Sequence, residues 1–488
     1  MSVPGAGTDE VLVATDQPAL LGNPARLGRR LRAVLAVVII ADILDLMDTT
    51  ITNIAAPTIV RDIGGGESLI KWLGASYALA LGVLLVVGGR LGDRYGQRRV
   101  FLIGIAGFTL ASLGCGLSVD PTMLIACRLV QGGFGALLIP QGLSIMVASL
   151  SREQMPTVFA VFGPVMAGAA LAGPIVAGFV ISANIAGLSW RPIFLINIVL
   201  GTFGFLAALR VLPTVPPSSS APIDGVGAGL LGGGMLGLLY GLIEGSTDGW
   251  TAVPIASMAF GVLLFGGFVL RQRTEVNPLI KPSLFKNRGF TSGLILGLAY
   301  IAGINGLFYV CSLFLQTALG LSPSHAALGL APAMVGIMAS SFIGRPLIPV
   351  LGRRLVFIGL IATLGGVVGL WATITARGTD VSVWLLAPSF LVMGAGMGTC
   401  LFSIFDFAIG DVAQDEAGSA SGSLSAVQQL ATAIGSAVVT TIYFTQRSAH
   451  GAGSAMMTSL VVVGAITVAC LGLVWLLPKR AAEEPAES

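Results

Sequence analysis

The chain has 488 residues, with 26 Lys or Arg, 23 Asp or Glu and a formal net charge of +3. Charged residues make up 10% and hydrophobic residues 55%, with a mean hydropathy of +0.91, against about 25% charge in an ordinary soluble domain. That balance excludes a single soluble core, a disordered chain and, because the apolar runs approach twenty residues, an outer-membrane barrel. The small net charge gives no reason to expect nucleic acid as a partner.

Requiring about 20 mostly apolar residues per crossing, the sequence predicts helices near 33–56, 69–89, 99–118, 122–144, 158–182, 191–212, 223–243, 253–271, 290–315, 325–350, 356–376, 382–408, 418–445 and 455–477. This is an all-α polytopic membrane protein of about 14 transmembrane helices. The run following Arg29, Arg30 and Arg32 carries Asp42, Asp45 and Asp48, so it reads as a retained first span and not as a signal peptide.

Basic residues set the orientation. Arg26 to Arg32, Arg90 to Arg99, Arg152, Arg210, Arg271 to Arg288, Arg345, Arg353, Arg354, Lys479 and Arg480 fall on one side. Arg61, Lys71, Arg191, Arg377 and Arg447 fall on the other. The positive-inside rule then places both termini in the cytoplasm, with Arg128 left inside the membrane. The longest connections, the tract Pro213 to Pro222 and the basic stretch Arg271 to Arg288, bracket spans seven and eight. The expected organisation is a cytoplasmic tail 1–32, a six-helix bundle 33–212, a linker with two extra helices 213–289, a second six-helix bundle 290–477 and a cytoplasmic tail 478–488. The loop after span two has a degraded echo at Gly344-Arg345 to Gly352-Arg353-Arg354, and paired bundles facing a midplane cavity are a transporter plan.

That loop, GGRLGDRYGQRR at 88–99, resembles the cytoplasmic signature G-x-L-a-D-r-x-G-r-k-r of the major facilitator superfamily. Its residues Gly89, Arg90, Gly92, Asp93, Arg94, Gly96 and Arg98 are the candidate cytoplasmic gate. Three further stretches resemble the fourteen-span drug:proton antiporter branch. They are Leu46 to Pro57 (LMDTTITNIAAP) in span one, Arg128-Leu129-Val130-Gln131-Gly132 in span four, and Ala169 to Gly178 (AALAGPIVAG) in span five. Trp190 to Asn197 and Ala417 to Gly422 also look like this branch. Phe134 stands where the span-four pattern has Gly, Ala169 and Ala177 replace two span-five glycines, and the second-half loop lacks the Asp.

The resemblance implies proton-coupled efflux of amphipathic drugs or antibiotics by alternating access. No cofactor other than the proton gradient is expected, and the partners are a small amphipathic molecule, protons and the lipid bilayer. The setting would be a bacterial cytoplasmic membrane, with the protein expected as a monomer. The alternative on the same fold is a dedicated exporter or carrier of one metabolite or lipid. Lysines occur only at 71, 281, 286 and 479, so no phosphate-loop lysine exists. The G-x-G-x-x-G spacings at Gly227 to Gly237 lie inside span seven and read as helix packing. No metal-ligand spacing is present, and no catalytic cluster suggests an enzyme.

Ionised groups at membrane depth cost several kcal/mol, so they mark function. At about 1.5 Å per residue, Asp48 lies about 12 Å and Arg128 about 9 Å from the outer ends of their helices, at similar depth, so they can pair. Asp45 and Asp42 lie deeper, rotated by about 60° and 120° around the helix, and the three carboxylates cannot share one partner. Asp48 is the expected proton carrier, with Arg128, Asp45 and Asp42 completing the candidate coupling set. Gln131, one turn from Arg128, could hydrogen-bond either charged group; with Asn53 and Asp406 it is also a candidate for a substrate or polar cavity, whose greasy wall could include Phe308, Tyr309, Phe314, Met334 and Met338. Gly163, Pro164, Gly173, Pro174 and Gly178 are candidate antiporter-helix residues, because Pro removes a backbone donor and Gly permits close approach. Glu244, His325 and His450 are expected to face water.

Overall fold

A computed structural model describes residues 28–150, 154–214, 224–276, 278–280, 282–344, 347–410, 412 and 417–478. The parts of the tails at 1–27 and 479–488, most of the Pro213 to Pro222 tract, and Arg152, Lys281 and Arg345 lie outside the described residues. Among these, every regular element is helical. The chain runs through α1 (Arg29–Ile63), α2 (Gly66–Tyr95), α3 (Gln97–Gly116), α4 (Pro121–Ser149), α5 (Met155–Ala183) and α6 (Pro192–Val211). It continues with α7 (Gly225–Asp248) and α8 (Ala252–Thr274), then α9 (Arg288–Thr317), α10 (Pro323–Gly344), the short α11 (Ile348–Leu351), α12 (Arg353–Arg377), α13 (Val383–Gly410) and α14 (Ala417–Leu473).

Eleven of the described helices are long and apolar enough to cross a membrane. Several overrun the predicted spans: α1 has 35 residues, about 52 Å at 1.5 Å each against a hydrocarbon core of about 30 Å. Hydropathy detects only the apolar middle, whereas backbone hydrogen bonding carries the helix beyond it. The two spans predicted at 418–445 and 455–477 form one element broken at Gly451, whose φ of 85° and ψ of 170° suit a residue without a Cβ.

Helices α1 to α6 form one bundle and α9, α10, α12, α13 and the two limbs of α14 form another. The inserted hairpin α7–α8 rests on α2 and α14. Its glycines fit helix to helix: a Cβ on Gly237 would lie 2.9 Å from the Ser257 carbonyl oxygen and 3.1 Å from Gly261 Cα. Within α8 only Pro254, Gly261 and Phe268 are buried, while Phe260, Val262 and Leu263 are exposed, as a lipid-facing surface requires. The bundles meet through α2 with α14 and through α5 with α10. The largest apolar core crosses between them, joining Ile51, Ile54 and Ile59 of α1 and Leu69 and Leu73 of α2 to Leu307, Val310 and Phe314 of α9.

The signature residues are packing and anchoring groups. A Cβ on Gly88 would strike the Ala136 carbonyl oxygen, and Gln141 of α4 donates to the Gly88 carbonyl at 2.8 Å. Gly92 leaves room for the Gln141 side chain, and Gly96, with φ of 94°, reverses the chain between α2 and α3. Arg98 donates to the Leu209 carbonyl at the end of α6, Arg94 lies over the Tyr95 ring, and Arg90 donates to the Pro278 carbonyl beyond the inserted hairpin. Burial of Asp93 is intermediate and Gly89 meets only Pro140 Cβ, at 3.7 Å.

Candidate functional site

Asp48 and Arg128 form an ion pair, each 1% exposed, between α1 and α4. Removing one member of such a pair leaves a buried charge uncompensated, whereas the pair itself is tolerable once its remaining polar atoms are bonded. Neutral groups bond several of them here, while Arg128 Nε has no hydrogen-bond partner among the described residues. Gln131 donates to Asp48 Oδ1 at 2.9 Å and to Ser112 Oγ at 2.7 Å, while its carbonyl oxygen accepts from Arg128 at 2.8 Å. Asn197 of α6 donates to the same Asp48 oxygen at 3.0 Å. The Arg128 guanidinium also lies 4.4 Å from the Tyr77 ring centroid and 5.8 Å from that of Phe194, so aromatic faces supply further negative potential.

Asp45 has a different partner, the Tyr77 hydroxyl. Asp42 faces α4 near Gly142. The three carboxylates are therefore divided as the helical rotation requires. Gln131, a candidate both for the cavity and for a hydrogen bond to Asp48 or Arg128, is fully buried in their network. Its position one turn from Arg128 points its amide at the pair, not at the space between the bundles. Tyr77, Ser112 and the role of Asn197 were missed by the sequence reasoning. Their residue types carry no burial penalty large enough to stand out.

A cavity of about 1080 Å³ lies on another face of α1, lined there by Leu46, Thr49, Thr50 and Asn53. Across from it stand Asn305, Phe308 and Ser312 of α9, Leu330, Met334 and Ile337 of α10, Asp406 of α13, and Gln428, Gln429 and Thr432 of α14. Asn53 and Asp406 are thus on the wall, as are Phe308 and Met334. Tyr309 and Phe314 are buried elsewhere in the core, and Met338 is half-buried outside the cavity wall. Amides, hydroxyls and aliphatic groups dominate the lining, with Asp406 its one ionisable side chain among the described residues.

At the end carrying Asp62 and Arg191 the bundles are laced together. Ser312 donates to the Asn53 carbonyl at 3.0 Å, Gln316 to the Ile54 carbonyl at 3.1 Å and Tyr309 to the Ile70 carbonyl at 2.6 Å. Ser182 of α5 donates to Ser324 of α10 at 3.1 Å. Gly178 packs against the Pro323 backbone, Gly173 against Thr50, and Pro174 reaches the cavity. Gly163 and Pro164 belong to α5, though the Pro164 side chain lies outside the described residues. The cavity extends the other way, to exposed Asp406 and to Ile409, near the end of α13.

Beyond the lacing, Asp62 pairs with Arg191 and accepts from the Trp190 indole at 2.9 Å. The Arg191 guanidinium holds the Asp62 carboxyl below the usual carboxylate range, with partial burial opposing it and Trp190 assisting. Glu244, expected to face water, and Lys71, counted with the basic residues of the Arg61 side, are both held in the contact between α2 and α7. Lys71 is fully buried, donating to Ser246 and Thr247 at 2.8 and 2.9 Å, and Glu244 accepts from Ser68 and Trp72 at 2.8 and 3.0 Å. The inserted hairpin supplies Glu244, Ser246 and Thr247 and covers Lys71. His325 and His450 are exposed.

Comparison with known proteins is consistent across sequence and fold. The family described as Major Facilitator Superfamily matches residues 38–436. The chain is 40% identical over 417 residues to the probable actinorhodin transporter of Streptomyces coelicolor, covering 84% of this chain and 72% of that one. It is 31% identical over 412 residues to the puromycin resistance protein pur8 of Streptomyces alboniger, covering 84% and 81%. The solved structure of the POT family transporter PepTSo superposes with a TM-score of 0.67 at 14% identity, covering 92% of this chain and 98% of that one.

Proposed function

The chain belongs to the major facilitator superfamily, and from that premise we propose that it exports amphipathic, antibiotic-like molecules from a bacterial cell in exchange for protons. It is a secondary transporter, not an enzyme. The observation that carries the coupling reading is the Asp48–Arg128 pair, buried inside one bundle beside a large cavity between the two. A proton on Asp48 removes the charge that holds Arg128, loosening α1 against α4. Return of the charge restores the contact. Coupling these two arrangements to closure at opposite ends of the cavity gives alternating access. The membrane potential contributes about 2.3 kcal/mol per charge per 100 mV, and the gradient alone drives the cycle, with no cofactor.

In this reading the basic end is cytoplasmic, both termini lie there, and the form described is inward-facing, since the bundles are laced at the Asp62 end. Fourteen passes result when α1, α5 and the second limb of α14 join the eleven apolar helices. The bundles correspond to 33–212 and 290–477, with 213–289 as the inserted linker, and the monomer is the working unit. A dedicated exporter of one natural product is the second reading, favoured by relatives that are each named for a single antibiotic. Everted vesicles with an acidic lumen test both readings: puromycin, ethidium and an aromatic quinone are added in turn while the pH gradient is followed. Discharge by several compounds supports broad antiport, discharge by one supports the dedicated exporter, and gradient-independent movement of all three contradicts proton exchange.

A further inference from the structure

Asp48 is preceded along α1 by two further carboxylates, Asp45 and Asp42. Asp45 accepts from the Tyr77 hydroxyl, and Asp42 carries a buried Oδ1 without a hydrogen-bond partner among the described residues. Helix α4 leaves space for both. A Cβ on Gly135 would lie 2.7 Å from the Tyr77 hydroxyl and 2.9 Å from Asp45 Oδ1, and one on Gly142 would lie 3.7 Å from Asp42 Oδ1. Residues three apart on a helix have Cβ atoms about 5–6 Å from one another, so the carboxylates form steps from Asp48 toward the basic end.

Tyr77 links the first two steps. Its ring lies beneath the Arg128 guanidinium at 4.4 Å while its hydroxyl holds Asp45. A change of charge on Asp48 therefore reaches Asp45 through Arg128 and through Tyr77. The ionisable groups facing Asp45 are Tyr77 from α2, Arg128 from α4, and Asp42 and Asp48 from α1 itself. Helix α5 contains no ionisable residue, and α6 only Arg210 near its end. The cavity wall of α1 is made by other residues, Leu46, Thr49, Thr50 and Asn53.

Resting on the antiport reading above, we propose that Asp45, positioned by Tyr77, is a second proton station between Asp48 and the basic end, with Asp42 the third. Protons then cross inside the first bundle, separated from the cargo by α1. In the first transfer the proton leaves the Asp48 carboxyl and the Asp45 carboxylate takes it, leaving Asp48 ionised opposite Arg128. Tyr77 remains neutral, donating to Asp45 while it is a carboxylate and turning its hydroxyl to accept once Asp45 is protonated. The second transfer moves the proton to the Asp42 carboxylate, from which it leaves at the basic end.

Infrared titration of the carboxyl C=O band, on the full chain in liposomes without cargo, tests the stations directly. Asp45→Asn should remove a titrating carboxyl band distinct from the one removed by Asp48→Asn, and Tyr77→Phe should shift the Asp45 band without removing it. In the same liposomes, with puromycin as the probe, Asp45→Asn and Tyr77→Phe should lower maximal proton uptake at least tenfold, alter its pH profile and leave the puromycin KM within twofold. Tyr77→Phe keeps the ring and its packing, so it decides the matter where Asp45→Asn fails to fold. An Asp45→Asn spectrum that titrates as the wild type does overturns the proposal, as does a Tyr77→Phe protein with wild-type rate and pH profile. Wild-type protein that moves puromycin without protons overturns the antiport reading itself, a result distinguishable because the defect is then present before any substitution.

Discussion

Closure at the Asp62 end depends on a glycine. At Gly178 a methyl group would lie 2.7 Å from the Pro323 carbonyl oxygen, 2.9 Å from Ser324 Cα and 3.0 Å from Ala327 Cβ. Two of these atoms are backbone, so rotating a side chain gives no relief and α5 must move away from α10. Overpacking of this kind costs about 1–3 kcal/mol. Under alternating access the cost falls on the form closed at this end and not on the form open there, so Gly178→Ala shifts the ratio of open to closed by about 5- to 150-fold. An Asn53→Cys reporter, with the native cysteines replaced, reads that shift, because Asn53 lines the cavity behind the closure. An impermeant maleimide added from the Asp62 side should label it faster by the same factor. Cross-linking a Ser182→Cys, Ser324→Cys pair, whose native hydroxyls stand 3.1 Å apart, should abolish the labelling. Unchanged labelling in Gly178→Ala at normal membrane abundance would refute the reasoning.

Neighbouring glycines of the signature should differ sharply. Gly88→Val puts a side chain into the Ala136 carbonyl and should lose about 1–3 kcal/mol of stability, read as a lower unfolding midpoint in detergent. Gly89→Ala, with Pro140 Cβ at 3.7 Å, should stay near wild type, and equal losses would contradict the packing account. Because Arg191 lowers the Asp62 carboxyl in the folded chain, the stability from that pair is present above the unfolded value near pH 4 and disappears as pH falls through the lowered one. Wild type and Asp62→Asn should therefore unfold at different temperatures at pH 6, and the gap should shrink as the pH falls below about 4. A constant gap would show that the bridge is not the source.

Much of the fold was legible because membrane burial writes strong signals. Apolar runs mark the helices, and the signature glycines mark close approaches such as that of α2 to α4. Depth along a helix was equally readable: counting residues from the ends brought Asp48 and Arg128 to one level, and the structure places them in contact. Facing was harder. For Gln131 the one-turn spacing from Arg128 left both the ion pair and the cavity open, and the residue belongs to the Asp48 network and not to the cavity. Tyr77, Ser112 and Asn197 acquire significance only from neighbours far away in sequence. Lys71 and Glu244 illustrate the same limit at a helix end. Each resembles an interfacial charge until α2 and α7, some 175 residues apart, are packed together.

In the proposed cycle Asp48 is the group that couples proton movement to export, and its removal separates coupling from cargo movement. Wild-type protein and Asp48→Asn, reconstituted in equal amounts, are assayed for puromycin counterflow without a gradient and for uphill puromycin transport with one. Asp48→Asn should retain counterflow, because the cavity is lined by other residues, but lose uphill transport and puromycin-driven proton movement. Uphill transport at the wild-type rate in Asp48→Asn would contradict it.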